Sequence, residues 1–138
     1  MSSYIPVALR RLITQRANQV CEYCLLPQLI VLTPHEPDHI VPEQHGGQTT
    51  EDNLALACMR CNRRKGTNIG SFDPLTGNLV RFFNPRIDKW EQHFDWDENQ
   101  IIPISAEGRV TVKILNFNSE DRLMERDLGI SLGLYPNR

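Results

Sequence analysis

HEPDHIVPEQHGGQTTEDNLALACMRCNRRK, residues 35–65, holds most of the chemistry-bearing side chains of this 138-residue chain. An acid–imidazole pair, Asp38-His39, is followed by Ile40 and Pro42. Asn53-Leu54 opens a short apolar run, and Cys58-x-x-Cys61-Asn62 leads at once into Arg63, Arg64 and Lys65. Pro37 forces Glu36 into an extended conformation, so Asp38-His39 is expected on a strand or at a strand end, not on a helix. Neighbours on a regular strand point to opposite faces, so a shared task for these two side chains needs a bend there, which Pro37 and Pro42 make feasible. Residues 43–52 read as a loop in which Gly46-Gly47 permits conformations that other residues resist. Residues 53–58 are a short strand candidate. CNRRKGTN reads as a short helix ending near Gly66, which serves as its cap.

Working outward, the remaining two cysteines are Cys21 and Cys24, so all four fall in Cys-x-x-Cys pairs. In a reducing compartment such pairs read as metal ligands before disulfides. Each makes a tight turn that aims two thiolates at one point, and two turns supply the tetrahedral sulfur shell that Zn2+ favours. The 33 residues between the pairs (25–57) exceed the roughly 15–20 of a compact zinc ribbon and fit an inserted hairpin carrying Asp38-His39. No βαβ pattern surrounds either pair, which argues against a thioredoxin-like role. A structural zinc would contribute folding free energy, about 10–16 kcal/mol in finger peptides. With sulfur in all four positions it has no open coordination site, so it is not the catalytic metal.

The totals set the frame. A chain of this length is most simply one domain, 1–138, and can bury roughly 68–70% of its unfolded surface. Hydrophobic residues make up 40% and charged residues 23%, ordinary values for a soluble globular protein. No apolar run approaches the ~18 residues of a membrane span, and MSSYIPVALRRLITQR lacks a signal peptide's long apolar stretch. The expectation is a cytoplasmic protein with no membrane partner. The net charge of −2 gives no global basic bias. Charge is segregated, however: Arg60, Arg63, Arg64 and Lys65 sit together, while Glu91, Asp95, Asp97 and Glu98 form an acidic run. A local basic patch is what steers and holds phosphates.

Residues 6–18 have helical periodicity in Leu9, Leu12, Ile13 and Arg16, with Pro6 suited to the first turn and Arg10 and Arg11 on another, solvated face. Tyr23, between the first two thiols, reads as packing. Leu29 to Leu32 suits a short strand or a loop packed on the core. FDPLTGNLVRFF has a turn signal between two apolar pieces and predicts a hairpin. NPRIDKWEQHFDW suggests a short helix beginning at Pro85. Six of the ten aromatics lie between Phe72 and Trp96, so this stretch is expected to carry much of the remaining core. SEDRLMERDLG, 119–129, predicts a helix with Ser119 as cap and Gly129 near its end.

The order and spacing of Asp38-His39, Asn53 and Cys58-x-x-Cys61-Asn62 resemble the HNH nuclease motif, with Asn62 in place of the final His. The resemblance runs firmly over Cys21 to Lys65 and weakly beyond. It implies an α+β fold: a small ββα-metal, treble-clef-like core over about 18–70, held by a four-cysteine zinc site. An N-terminal helix precedes this core and an α/β extension over about 71–138 follows it. The family's helix also bears on 101–117, where Val110, Val112 and Ile114 alternate like a strand but the resemblance suggests a helix. FFNPR…W…HF…GR.TV looks like the tail of a subgroup of small bacterial HNH proteins, and no chemistry maps onto it.

Phosphodiester hydrolysis needs a water to lose a proton, the phosphate charge to be neutralised and the leaving oxygen to be stabilised. A divalent cation suits the last two needs and an imidazole the first. The resemblance makes His39 the general base and Asp38 and Asn62 ligands of a catalytic Mg2+ or Mn2+, with hard oxygen donors suited to those ions. It also makes Asn53 the residue that pins the loop and the orientation of the base. Arg63, Arg64 and Lys65 are candidate phosphate contacts. His35 and His93 read as structural, and His45 as a solvated loop residue that could reach phosphate. The implied activity is nicking of DNA by one metal and one base, with a homodimer or two events needed for a double-strand break. The alternative is a zinc-stabilised DNA-binding module with a silent site.

Overall fold

Helix α1, Val7–Arg16, lies across the back of a two-stranded hairpin made by β1, Glu36–His39, and β2, Leu54–Ala57. The computed structural model describes residues 4–136, so the first three residues of the N-terminal reading lie outside the described residues. Pro6 stands at the N-cap of α1, one position earlier than expected, and Ile13 is the helix's fully buried residue. Ile13, Ile5, Leu54 and Leu56 form a small apolar cluster of their own, while Arg16 reaches across to the carbonyls of Glu51 and Leu54.

The pairing of β1 with β2 is antiparallel, with Asp38 opposite Ala55 and His39 opposite Leu54. Every residue of β2 is buried, which suits its Leu-Ala-Leu-Ala composition: small and large side chains alternate between two covered faces. Helix α2, Met59–Lys65, follows directly. Its N-cap is Cys58, whose sulfur accepts from the Cys61 N–H, and it ends at Gly66 with φ +52°, a conformation that favours glycine. Strand, loop, strand, helix is therefore the ββα order that the motif implies.

The extension adds two more hairpins and two helices. Strands β3, Gly70–Phe72, and β4, Leu79–Arg81, pair antiparallel around the expected turn. There Asp73 accepts from the Leu75 N–H and the Thr76 hydroxyl and takes a bidentate contact from Arg109. No helix begins at Pro85. The Asp88 carboxylate accepts from the Asn84 N–H and from both ends of the Arg81 guanidinium, closing residues 84–88 into a turn. A single 3-10 turn at Trp90–Gln92 then leads into β5, Phe94–Asp97, paired with β6, Gln100–Pro103. Leu29–Leu32 likewise makes no strand; Gln28–Ile30 is a 3-10 turn.

The 101–117 segment divides after β6, where Ser105 caps α3, Ala106–Ile114, by accepting from the Gly108 N–H. The strand-like alternation of Val110, Val112 and Ile114 thus lies on a helix. Helix α4, Glu120–Ser131, starts after Ser119 as expected, although the serine hydroxyl makes no capping bond. It runs past Gly129. This glycine is an interior packing position: a β-carbon there would lie 2.5 Å from Ile30 Cδ1 and 2.8 Å from Tyr135 Cβ. The main core gathers Tyr23, Phe82, Phe83, Trp90, Phe94 and Phe117 beside the four cysteines, with Phe83 and Phe94 edge-on at 5.3 Å. Among the described residues no helix is long and apolar enough to cross a membrane.

Candidate functional site

The four cysteines come from two separate turns, Cys21 and Cys24 ahead of the hairpin and Cys58 and Cys61 at the start of α2. Their sulfurs all lie within 4.8 Å of one another and all four residues are buried. The Cys24 and Cys58 sulfurs are 3.7 Å apart, far beyond a disulfide's ~2.05 Å. A tetrahedral ion with bonds of about 2.3 Å needs sulfurs roughly 3.8 Å apart, so the donor set fits a metal ion. Burial pushes the Cys21 and Cys61 thiols well up, so holding these two as thiolates calls for a cation in their midst.

The hairpin and α2 together form the second feature. β1 ends at His39 and the chain bends at Ile40, immediately after the Asp38-His39 pair. A cavity of about 710 Å³ is lined by both of them and by Asn62, with Arg10, Glu36 and Gln44 among its walls. The Thr49 hydroxyl lies 2.9 Å from His39 Nε2 and fixes the ring's orientation.

Asn53 is not among the cavity-lining residues. Its amide NH2 donates to the carbonyls of Val41 (2.9 Å) and Gln48 (2.8 Å), and its amide oxygen accepts from the Val41 N–H (2.9 Å). Three bonds from one side chain close the loop that carries Thr49. The same closure explains Gly47, where a β-carbon would sit 1.6 Å from the Val41 oxygen.

Asp38 is nearly covered, and its partners are the Lys65 ammonium at 3.0 Å and the Tyr23 hydroxyl at 3.4 Å. Burial raises its pKa above the ordinary value and outweighs the lowering by Lys65. Such a carboxylate gains from any further cation brought to the cavity. Lys65, expected among the phosphate contacts, does not face solvent: it is 2% exposed and also donates to the His39 carbonyl at 2.8 Å. At the helical step of 100°, only one side of α2 meets the hairpin, and that side carries Lys65. Arg63 and Arg64 are exposed and line a different hollow of about 270 Å³, between α2 and the start of α4, together with Arg60 and Asp121. Arg60 is already held by Glu125 at 3.2 Å and Asp121 at 3.7 Å.

Three roles escaped the sequence reading, which assigned Lys65 to phosphate and Tyr23 to packing. Thr49 steadies His39, the Tyr23 hydroxyl ties the first cysteine turn to Asp38, and Lys65 supplies the charge opposite Asp38. For Lys65 a signal existed: it lies three residues after Asn62 on a helix, one turn along the side facing the hairpin. For Thr49 and Tyr23 no spacing rule would have found them. His35 is buried, with Nε2 2.8 Å from the Leu26 carbonyl. His93 packs on Phe83 with Nδ1 2.6 Å from the Ser105 hydroxyl. His45 is exposed, with Nε2 3.1 Å from the Thr67 carbonyl.

An antiparallel hairpin and helix beside a buried four-cysteine cluster, with Asp38, His39 and Asn62 lining one cavity, form the ββα arrangement of an HNH segment. Residues 21–68 match the family model described as HNH endonuclease. Along most of its length the chain is similar to the Septu protein PtuB of Bacillus thuringiensis: 27% identical over 123 residues, covering 88% of this chain. The chain spans 44% of that relative's length. No solved structure matches.

Proposed function

We propose that the chain is a metal-dependent endonuclease that hydrolyses phosphodiester bonds in DNA, one strand per active site. The observation that carries this reading is the single cavity on which Asp38, His39 and Asn62 converge from a strand end and a helix. Asp38 and Asn62 would hold Mg2+ or Mn2+, and their oxygen donors fit such an ion. When bound, it supplies charge neutralisation at the phosphate and at the leaving oxygen. His39 accepts the proton of the attacking water, with Thr49 fixing the ring and Asn53 fixing the loop that brings Thr49 there. Arg63 and Arg64 contact backbone phosphates beside the scissile bond from the exposed side of α2. The four cysteines hold a structural Zn2+, which fastens the turn before the hairpin to the helix after it. Reduced thiols of this kind suit the cytoplasm. A double-strand break would take two copies, as in a homodimer, or two events.

The test is supercoiled plasmid incubated with Mg2+ or Mn2+, wild type beside His39→Ala, with zinc content measured in both. Nicking by the wild type, lost in a mutant that keeps its zinc, supports the proposal. If neither protein cuts with any divalent ion while the wild type still binds DNA, the chain is a zinc-stabilised binding module and the catalytic roles fall.

A further inference from the structure

Arg122 of α4 is 3% exposed and lies against the second cysteine turn. Its Nη2 donates to the Cys61 sulfur at 2.8 Å and faces the Cys58 sulfur at 3.8 Å, while Nη1 donates to the Leu115 carbonyl at 2.7 Å. The guanidinium also lies over the Phe117 ring, 5.4 Å from its centroid, so the fork is fixed on several sides. Among the described residues it makes no ion pair with a carboxylate. Arg126, one turn later on the same face, shows what a purely structural arginine does here: it donates to the oxygens of Asn99, Asn118 and Phe117 and touches no sulfur.

A buried guanidinium without a counter-charge is costly, and so is a buried metal–tetrathiolate centre. Four thiolates around a divalent ion leave a net charge of −2. Each feature removes the other's penalty.

We propose that Arg122 is the resident counter-charge of the four-cysteine centre, and that α4 thereby controls how firmly the nuclease core holds its structural zinc. The proposal rests on the zinc reading above. Sulfur lone pairs engaged by a cationic donor are weaker nucleophiles, so Arg122 also shields Cys58 and Cys61 from electrophiles and oxidants. The extension beyond the HNH segment is then part of the metal site. Its other contacts fit that role: the Tyr135 hydroxyl donates to the Cys24 carbonyl at 2.7 Å, and the Trp90 indole donates to the Tyr23 carbonyl at 2.9 Å, bracing the first cysteine turn.

The experiment compares the full-length wild type with Arg122→Met and Arg122→Lys. Zinc per chain is measured as purified. Zinc release into excess 4-(2-pyridylazo)resorcinol gives the off-rate, and iodoacetamide labelling mapped by peptide mass spectrometry gives the order of thiol exposure. Arg122→Met is expected to release zinc about 10–100-fold faster, the usual effect of losing a partner to a metal ligand, with Cys58 and Cys61 labelled before Cys21 and Cys24. Arg122→Lys should recover most of the retention, because the charge returns. Release from Arg122→Met within twofold of wild type would overturn the proposal, as would equal release from the Met and Lys variants, since that would make packing the cause. If Arg122→Met does not fold, Arg122→Lys decides alone: near-normal retention upholds the counter-charge and a zinc-poor protein refutes it. A wild type that carries no zinc would instead remove the zinc reading on which the proposal stands.

Discussion

Replacing Lys65 by methionine removes the ammonium that faces Asp38 at 3.0 Å, in a pair whose side chains are 2% and 9% exposed. Methionine keeps the volume and the apolar stem. The carboxylate stays behind, nearly covered, with the Tyr23 hydroxyl at 3.4 Å as its remaining polar contact and the bond to the His39 carbonyl also gone. Leaving one member of a buried pair uncompensated costs about 3–5 kcal/mol. A chain of this length has a total stability on the order of 7–20 kcal/mol, so the loss is a large share. At about 2–4 °C per kcal/mol it lowers the melting temperature by roughly 6–20 °C. Urea denaturation followed through Trp90 and Trp96 fluorescence, in zinc-containing buffer, measures it directly. The double variant Asp38→Asn, Lys65→Met should regain at least about 2 kcal/mol of the single variant's loss, because no charge is left stranded. The pH dependence has a definite sign. Burial already places the Asp38 pKa above its unfolded value, so the folded state binds this proton more tightly. The penalty is present at neutral pH and eases as pH falls through the folded pKa. Removing Lys65 raises that pKa further, so the Lys65→Met deficit should shrink as pH falls. A deficit under about 1 kcal/mol, or strict additivity in the double variant, would refute the buried-pair argument.

Three further outcomes follow from the geometry. Asn53→Asp keeps the acceptor for the Val41 N–H but turns both donor bonds into oxygen–oxygen contacts; at about 1 kcal/mol per lost bond, stability should fall by roughly 2 kcal/mol, with nicking lost and zinc kept. Unchanged amide exchange in residues 41–50 would count against the clamp. Gly47→Ala cannot fit its β-carbon beside the Val41 oxygen, so the loop must move and the plasmid assay should show loss of activity at normal zinc content; full activity would show that the loop does not position His39. The Arg109 guanidinium beside Asp73 holds that carboxyl well below the usual range, so its contribution is present above about pH 4 and lost only in stronger acid. Hydrogen exchange of the β3–β4 amides, corrected for intrinsic rates, should therefore be constant from pH 8 to pH 5 in the wild type and faster in Asp73→Asn, and protection that drops over that range would contradict the assignment.

What could be read from the sequence was local. The ββα core was legible because Pro37, the Leu-Ala alternation, the Cys-x-x-Cys turn and Gly66 each act on their own few residues and agree with one another. The convergence of the four sulfurs was legible because two tight turns leave few other ways to satisfy four thiols. Long-range partnerships were not. Residue type alone does not separate Lys65, which turns inward to Asp38, from Arg63 and Arg64, which stay exposed; only its spacing from Asn62 along the helix does. Pro85 resembled a helix start, but Asp88 found Arg81 and the Asn84 N–H and closed a turn instead. Val110, Val112 and Ile114 fitted a strand period, yet Ser105 supplied a helix cap that outweighed it. Arg122 lies 61 positions from the sulfur it bonds, a pairing that no periodicity encodes.

The bond from the Tyr135 hydroxyl to the Cys24 carbonyl joins residues 111 positions apart. A chain leaving the ribosome therefore exposes both cysteine turns, and the whole hairpin between them, well before α4 can dock. At roughly 5–20 residues per second, about 4–15 seconds separate synthesis of the second cysteine turn from that of Tyr135. During that interval the thiols can capture metal without their counter-charge. On the zinc proposal, maturation would have two stages, metal capture followed by closure of the C-terminal segment, and the supply of free zinc during translation would influence how much protein reaches the closed form.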